Sequence, residues 1–305
     1  MAKLVDDFDE RAMFSPQSTG PLADGNPLAA YYRVPGLHII LPTGGAFLPP
    51  GSIDLTMNGD IPVWPMRAAD EMLLKSPDAL MSGYAIEMLI KSCVPAIKLP
   101  RLISSPDLDV ILLAIRAATY GDDMSLNVDC PKCQNQNEFN CHLPSLMATM
   151  KGVPPENTLR LSDEVVAYVR PYNVANATKI ALASYEEARR LKGMEDQMQD
   201  NAMRAVEVNK SIDRLNRLNL EVLADCVIKV VVPGTEVTDR SAIMDFVANV
   251  PKPWVEKIDR KLKKINQLGI DKKLSVKCSN KECGHQWKTE LEFDPSSFFD
   301  ADFSE

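Results

Sequence analysis

The sequence has few of the residues and patterns that mark enzymes. Only three histidines occur among its 305 residues, and none lies in a context typical of a catalytic base. The chain contains no Walker loop, no Gly-x-Gly-x-x-Gly, no His-Glu-x-x-His and no Gly-x-Ser-x-Gly. We therefore expect a protein that is not an enzyme.

Long apolar segments are also missing. No apolar run approaches the roughly 18–20 residues that a helix needs to cross a bilayer. The first ten residues are acidic and lack an apolar centre, so we expect no secretory signal and synthesis in the cytoplasm. No membrane segment is predicted.

An excess of basic residues is lacking as well. The chain has 34 Lys+Arg against 42 Asp+Glu, a formal net charge of −8, which argues against a dedicated nucleic-acid binder. The best case for one is residues 252–288, where bases outnumber acids, but the acidic residues 290–305 follow directly. A solvated helix face or a protein partner is the favoured interpretation of this basic stretch.

The length predicts about two domains, and the local patterns predict an α+β fold. We divide the chain into an extended, β-rich N-terminal arm (1–66) and a helical core with the first cysteine pair (67–157). An inserted, mostly helical module (158–270) and a second cysteine hairpin with an acidic, Phe-rich tail (271–305) complete the division. Two Ser-Pro-Asp sequences, at Ser76 and Ser105, predict capped helix starts.

The longest periodic stretch runs from about residue 174 to 231. Its apolar positions alternate spacings of three and four, like the seam of a coiled coil. Two interpretations remain open: helices packed antiparallel within one globular module, or a long helical hairpin that binds another subunit. The seam consists of Leu191, Met194, Met198, Asn201, Ala205, Val208, Ile212, Leu215, Asn219, Val222 and Cys226.

Four of the seven cysteines form two tight pairs. Cys130 and Cys133 are separated by two residues, and Cys278 and Cys283 by four. In a reducing compartment such turns indicate metal ligation before disulfides. Because each pair follows a strand-like segment, we predict two hairpins that close one tetrahedral zinc site. Four protein ligands leave no position for water, so the site is predicted to be structural.

Other arrangements of the site remain open. Cys141 or His142 would complete a local site, or His285 would replace one thiolate. A third possibility is that the thiols remain reduced and bind no metal. The remaining cysteines, Cys93, Cys141 and Cys226, are interpreted as buried packing residues.

Several sequence blocks, in order and spacing, carry a resemblance to a known family. With them the chain resembles the baseplate hub proteins of contractile-tailed, T-even-like bacteriophages. The blocks span about residues 41–299 and are Leu41–Phe47, Pro65–Glu71, Leu74–Leu80, Ser82–Gly83, Thr119–Gly121, Cys130–Cys133, Val169–Pro171, Cys283–Trp287 and Phe293–Phe299.

The resemblance implies a structural baseplate component in the hub or central region, acting by protein–protein assembly. It would be assembled in the host bacterial cytoplasm, in multiple copies of a symmetric particle, with other baseplate and tail subunits as partners. The alternatives are a transient assembly factor absent from the virion and, less favoured, a zinc-knuckle nucleic-acid-binding protein. The N-terminal arm and the phenylalanines of the tail are candidate anchors for partners: Phe293, Phe298, Phe299 and Phe303.

Overall fold

The computed structural model describes residue 28 and residues 31–195, 201–291 and 298–299. The helices are α1 (Ala68–Leu74), α2 (Pro77–Met81), α3 (Tyr84–Cys93), α4 (Ser105–Tyr120), α5 (Leu143–Met147), α6 (Val174–Glu195), α7 (Asn201–Cys226), α8 (Arg240–Asn249) and α9 (Lys252–Asn266). The strands are β1 (Leu37–Ile39), β2 (Ile61–Val63), β3 (Asp123–Asp129), β4 (Gln136–His142), β5 (Thr158–Arg160), β6 (Val166–Val169), β7 (Val227–Val232), β8 (Thr235–Val237), β9 (Lys273–Lys277) and β10 (Gln286–Glu290). The predicted mixture of helix and strand is confirmed, whereas the division into four segments stays a prediction.

Helix α4 is the centre of a first hydrophobic core. It is apolar on nearly every side, and such a helix is stable only when other elements surround it. Ser104, whose hydroxyl accepts from the Asp107 amide, caps the helix, so the predicted cap at Ser105 is wrong by one residue. The first core also includes buried residues of β1, β2, α1, α3 and α5.

A second hydrophobic core lies under an antiparallel sheet of order β5-β6-β7-β8. Alternate residues of β6, Ala167 and Val169, are buried in this core. On β7 the buried residues are Val227 and Val230, three apart, because the pairing with β6 shifts register. Helices α8 and α9 and the C-terminal end of α7 cover it. On α9, Ile258, Leu262 and Ile265 are buried at helical spacing while the other faces carry lysine and arginine.

The two segments that connect the cores meet at a backbone junction. Lys151 and Gly269 exchange two backbone hydrogen bonds, with N···O distances of 2.8 and 3.2 Å. The chain therefore leaves the first core after α5 and returns beside the same point before β9. Next to the junction, Lys272 pairs with the buried Asp109 of α4 at 2.6 Å.

The helix predicted to begin at Ser76 is short. Ser76 caps α2 as predicted, accepting from the Ala79 amide, but the helix ends at Met81. Gly83 then adopts a φ of +71°, and a Cβ at this position would lie 2.4 Å from Oγ1 of Thr178 on α6. The close approach of α6 requires glycine here, and the left-handed residue separates α2 from α3.

Helices α6 and α7 pack antiparallel, and their shared interface is partly polar. Glu187 of α6 accepts from Ser211 Oγ at 2.5 Å and from Arg214 at 2.7 and 2.8 Å. These hydrogen bonds, chiefly from Arg214 and then Ser211, lower the pKa of the Glu187 carboxyl to about 2. The bonds place Ser211 and Arg214 toward α6.

The predicted coiled-coil seam is therefore only partly covered. On α7 the seam residues Val222 and Cys226 are buried in or near the second core, whereas Val208 and Ile212 are 36% and 49% exposed. The prediction of helical periodicity up to residue 231 is also wrong, because the chain changes to strand β7 at Val227. Five of the six residues from 227 to 232 are β-branched, which explains that change.

The expected role of the tail phenylalanines as free anchors is wrong for two of them. Phe298 and Phe299 are 5% and 3% exposed and belong to the first core. Arg116 of α4 donates to the Phe298 carbonyl and lies over its ring, 5.5 Å from the centroid. These two aromatic side chains of the acidic tail are therefore buried within their own chain. Phe293 and Phe303 lie outside the described residues.

Part of the predicted N-terminal arm is likewise built into the fold. Strands β1 and β2 pair antiparallel, with Ile39 opposite Ile61. Both side chains are buried in the first core, so residues 37–63 do not form a free anchor. Residues 1–27, 29 and 30 of the arm lie outside the described part of the chain.

Candidate metal centre

Two hairpins with similar backbones carry the cysteine pairs. Strands β3 and β4 pair antiparallel with Leu126 opposite Phe139, and β9 pairs with β10 with Val276 opposite Trp287. The pair Cys130 and Cys133 lies in the first turn, and the pair Cys278 and Cys283 lies in the second. Strand pairing therefore holds each cysteine pair at the same end of its hairpin.

The two turns close in the same way despite their different lengths. The amide of the first cysteine donates to the carbonyl two residues beyond the second cysteine, from Cys130 to Asn135 at 2.9 Å and from Cys278 to His285 at 2.8 Å. Gln134 and Gly284, each directly after the second cysteine, both have positive φ, +56° and +53°. The longer second turn thus accommodates its two additional residues without changing the hairpin closure.

The four sulfurs form one cluster. All lie within 4.8 Å of one another. Cys130 Sγ is 3.9 Å from Cys283 Sγ, and Cys133 Sγ is 3.6 Å from Cys278 Sγ. Four ligands at about 2.3 Å around a tetrahedral ion are separated by about 3.8 Å, whereas a disulfide requires about 2.05 Å. The donor set and its spacing fit a metal ion and do not fit disulfides.

The backbone of the first turn favours a thiolate. Burial acts to raise the pKa of Cys130, but hydrogen bonds from the backbone of Cys133 and Lys132 outweigh it and lower the pKa to about 7. For Cys278, burial raises the pKa of the thiol. Four thiolates this close repel one another, so a cation among them is needed for all four to ionise.

The alternative ligands lie elsewhere. Cys141 is buried in the first core at the opposite end of β4, and burial raises the pKa of its thiol. His142 lies beside Asp123, with 3.2 Å between Nδ1 and Oδ1. The His285 ring stacks on Trp287 with 5.8 Å between the centroids. Within the described residues, the four paired cysteines are the one group whose ligand atoms converge in this way.

The other cysteines are buried as predicted. Cys93 and Cys226 are both inaccessible to solvent, one in each core. Burial raises the pKa of their thiols to about 11 and about 12, respectively. They are therefore unreactive packing residues at neutral pH.

Contacts between the hairpins extend beyond the cysteines. Phe139 and Trp287 meet edge to face with 6.5 Å between ring centroids, and each aromatic follows its cysteine pair in the sequence. Asn137 of β4 hydrogen-bonds to Ser279 of the second turn. An aromatic residue after each cysteine pair is visible in the sequence, whereas a single asparagine in a polar strand gives no signal.

These features define a protein in which four cysteines from distant parts of the chain join two hairpins into one clasp. A family model described as T4 bacteriophage base plate protein matches residues 66–300, which include both cysteine pairs. The chain belongs to this family of phage baseplate proteins. Neither a curated protein nor a solved structure matches the chain. Among the described residues, no helix is long and apolar enough to cross a membrane.

Proposed function

We propose that the protein is a structural subunit of the hub, or central region, of a contractile-tail baseplate. The carrying observation is the family match over residues 66–300, which covers the helices of the first core, the second core and both hairpins of the clasp. The resemblance of the sequence blocks to hub proteins supports the central position. On this proposal the chain is assembled in the host cytoplasm, remains in the virion and acts by binding other baseplate and tail subunits without catalysing a reaction.

The clasp is proposed to hold a structural zinc ion through Cys130, Cys133, Cys278 and Cys283. Four sulfur ligands at tetrahedral spacing are typical of structural zinc and leave no position for a substrate. Zinc would neutralise charge among the thiolates and fix the two hairpins to each other. The chain's own contribution is to hold the four sulfurs at the turn ends of paired strands.

Proteins rather than nucleic acid are the proposed partners. Two of the six basic residues of α9 have acidic partners on the same helix: Lys263 lies 2.8 Å from Asp259, and Lys252 lies 3.7 Å from Glu256. These pairs reduce the positive potential that phosphate binding requires. The exposed apolar residues Val208 and Ile212 of α7 instead suit packing against an apolar surface of a neighbouring subunit.

The location of the protein is tested on purified phage particles. We expect quantitative mass spectrometry to find the chain in a fixed ratio to other tail proteins. An epitope inserted in the exposed turn at residues 56–60 is expected to place gold label on the tail axis. A protein that infection requires but purified particles lack would instead be a transient assembly factor, and label at the periphery would contradict the hub position.

The surface on α7 is tested by an Ile212→Glu variant. We expect the variant to fold normally, because the side chain is half exposed, and to enter particles at a reduced level, because a charge would be buried at the contact. Met72→Glu on α1 is the matched control, since Met72 is 74% exposed and lies on another surface. Equal incorporation of both variants would exclude this part of α7 as a docking surface.

A further inference from the structure

We infer that Asn137 is the positioning residue that holds the two cysteine turns in register, with or without a metal, and thereby sets the metal affinity of the clasp. We call the hydrogen bonds of Asn137 that join the two turns the latch. The effect on metal affinity rests on the proposed zinc site, whereas the latch does not depend on it. Asn137 lies on β4, opposite Val128, and is only 1% exposed. A buried amide of this kind is costly unless its donors and acceptor are all hydrogen-bonded.

The Asn137 amide is hydrogen-bonded on both sides. Its Nδ2 donates to the carbonyls of Asn135 and Val128, at 2.7 and 3.2 Å, and these bonds fix the side chain within its own hairpin. Its Oδ1 accepts from the backbone amide and the hydroxyl of Ser279, at 2.7 and 2.9 Å, and these bonds reach the other hairpin. One side chain thus connects two turns that are more than a hundred residues apart in sequence.

The hydrogen bonds of Asn137 lie close to the proposed metal ligands in both turns. Ser279 directly follows the ligand Cys278, and Asn135 comes two residues after the ligand Cys133. Asn135 Nδ2 also donates to Ser279 Oγ at 3.1 Å, so a second side chain supports the same connection. The connection therefore sets the distance between ligands of opposite hairpins through the backbone. None of these polar groups is itself in the sulfur cluster.

A preorganised site binds its ion more tightly than one that must first be assembled. Outer residues that orient metal ligands typically change metal affinity by about 10–100-fold when they are removed. The Asn137→Ala variant is expected to lower zinc affinity by that factor. Ser279→Ala is expected to have a smaller effect, because it removes the hydroxyl and leaves the backbone amide in place.

The test measures two quantities on the full chain. The first is zinc affinity, obtained by competition with a chromophoric chelator, for wild type, Asn137→Ala, Ser279→Ala and the control Asn140→Ala. Asn140 is an exposed asparagine on the same strand, so its replacement should leave affinity unchanged. The second is hydrogen exchange of the Ser279 amide in zinc-free protein, which we expect to be about tenfold faster in Asn137→Ala than in wild type.

The outcomes separate this inference from the zinc proposal. Wild-type protein that binds no zinc would overturn the proposed metal site, and the exchange measurement would still test the latch. Wild type and Asn137→Ala with equal zinc affinity and equal exchange at Ser279 would overturn the latch while leaving the metal site intact. Should Asn137→Ala fail to fold, Asn137→Ser replaces it in both measurements, because the shorter serine side chain cannot bridge from β4 to the Ser279 amide. Equality of Asn137→Ser with wild type in both measurements would overturn the inference.

Discussion

Replacing Cys278 with serine is expected to lower the zinc content of the purified chain from about one ion to none. The variant leaves three sulfurs, of which two come from the first turn, and breaks the connection between the hairpins. Because apparent binding free energies of structural zinc reach about 10–16 kcal/mol, we expect a loss of unfolding free energy on the order of 5 kcal/mol even if the polar contacts of the clasp persist. Elemental analysis and urea unfolding measure the two effects.

The same experiment on Cys130→Ser tests whether the site is shared. A shared clasp loses its zinc when either pair is broken, whereas a local site in the first hairpin would keep it in Cys278→Ser. His285→Ala is the matched control for the alternative ligand, because its ring stacks on Trp287 beside the second turn. Zinc retained in either cysteine variant, or lost in the histidine variant, would contradict the four-cysteine site.

Replacing Phe299 with alanine is expected to lower the unfolding free energy by about 3–5 kcal/mol, the usual cost of removing a buried phenylalanine. The ring is 3% exposed and meets Phe298 edge to face at 5.1 Å between centroids. Phe298→Ala should have a similar effect, since it also removes the ring beneath Arg116. Denaturant unfolding of the purified chain provides the measurement.

The matched control for this prediction is Tyr31→Ala. Tyr31 is 85% exposed, and its replacement should change the unfolding free energy by less than about 0.5 kcal/mol. If the Phe298 and Phe299 variants were as stable as this control, the two rings would not contribute to the first core. They would then again be candidates for binding a partner subunit.

The sequence predicted the candidate site better than it predicted the surrounding elements. A cysteine pair separated by two or four residues is a local pattern, and two such pairs limit the ways in which four sulfurs can meet. Hairpins around both pairs followed from the strand-like flanks. The register between the hairpins was not predictable, because it depends on Asn137 and Ser279, which carry no distinctive pattern.

Errors in the fold came from contacts between elements distant in sequence. The break at Gly83 results from the approach of Thr178, which no local propensity reveals. The rotation of α7 places the polar residues Ser211 and Arg214 toward α6, although the apolar periodicity favoured the seam with Ile212. Tertiary contacts override local preference in both cases.

The tail illustrates a conflict between composition and burial. An acidic segment predicts exposure to solvent, whereas its phenylalanines predict burial, and composition alone does not say in which molecule they are buried. The structure places Phe298 and Phe299 in the core of their own chain. We therefore expect partner subunits to bind elsewhere on the protein surface, for example on α7.

We expect one ion to be held by four sulfurs from two distant parts of the chain, two from each hairpin. X-ray absorption at the zinc edge of the full-length protein tests it most directly. A four-cysteine site predicts a first shell of four sulfurs at about 2.3 Å and no nitrogen. A shell containing nitrogen at about 2.0–2.1 Å would place a histidine such as His285 or His142 on the ion and would contradict the four-cysteine clasp.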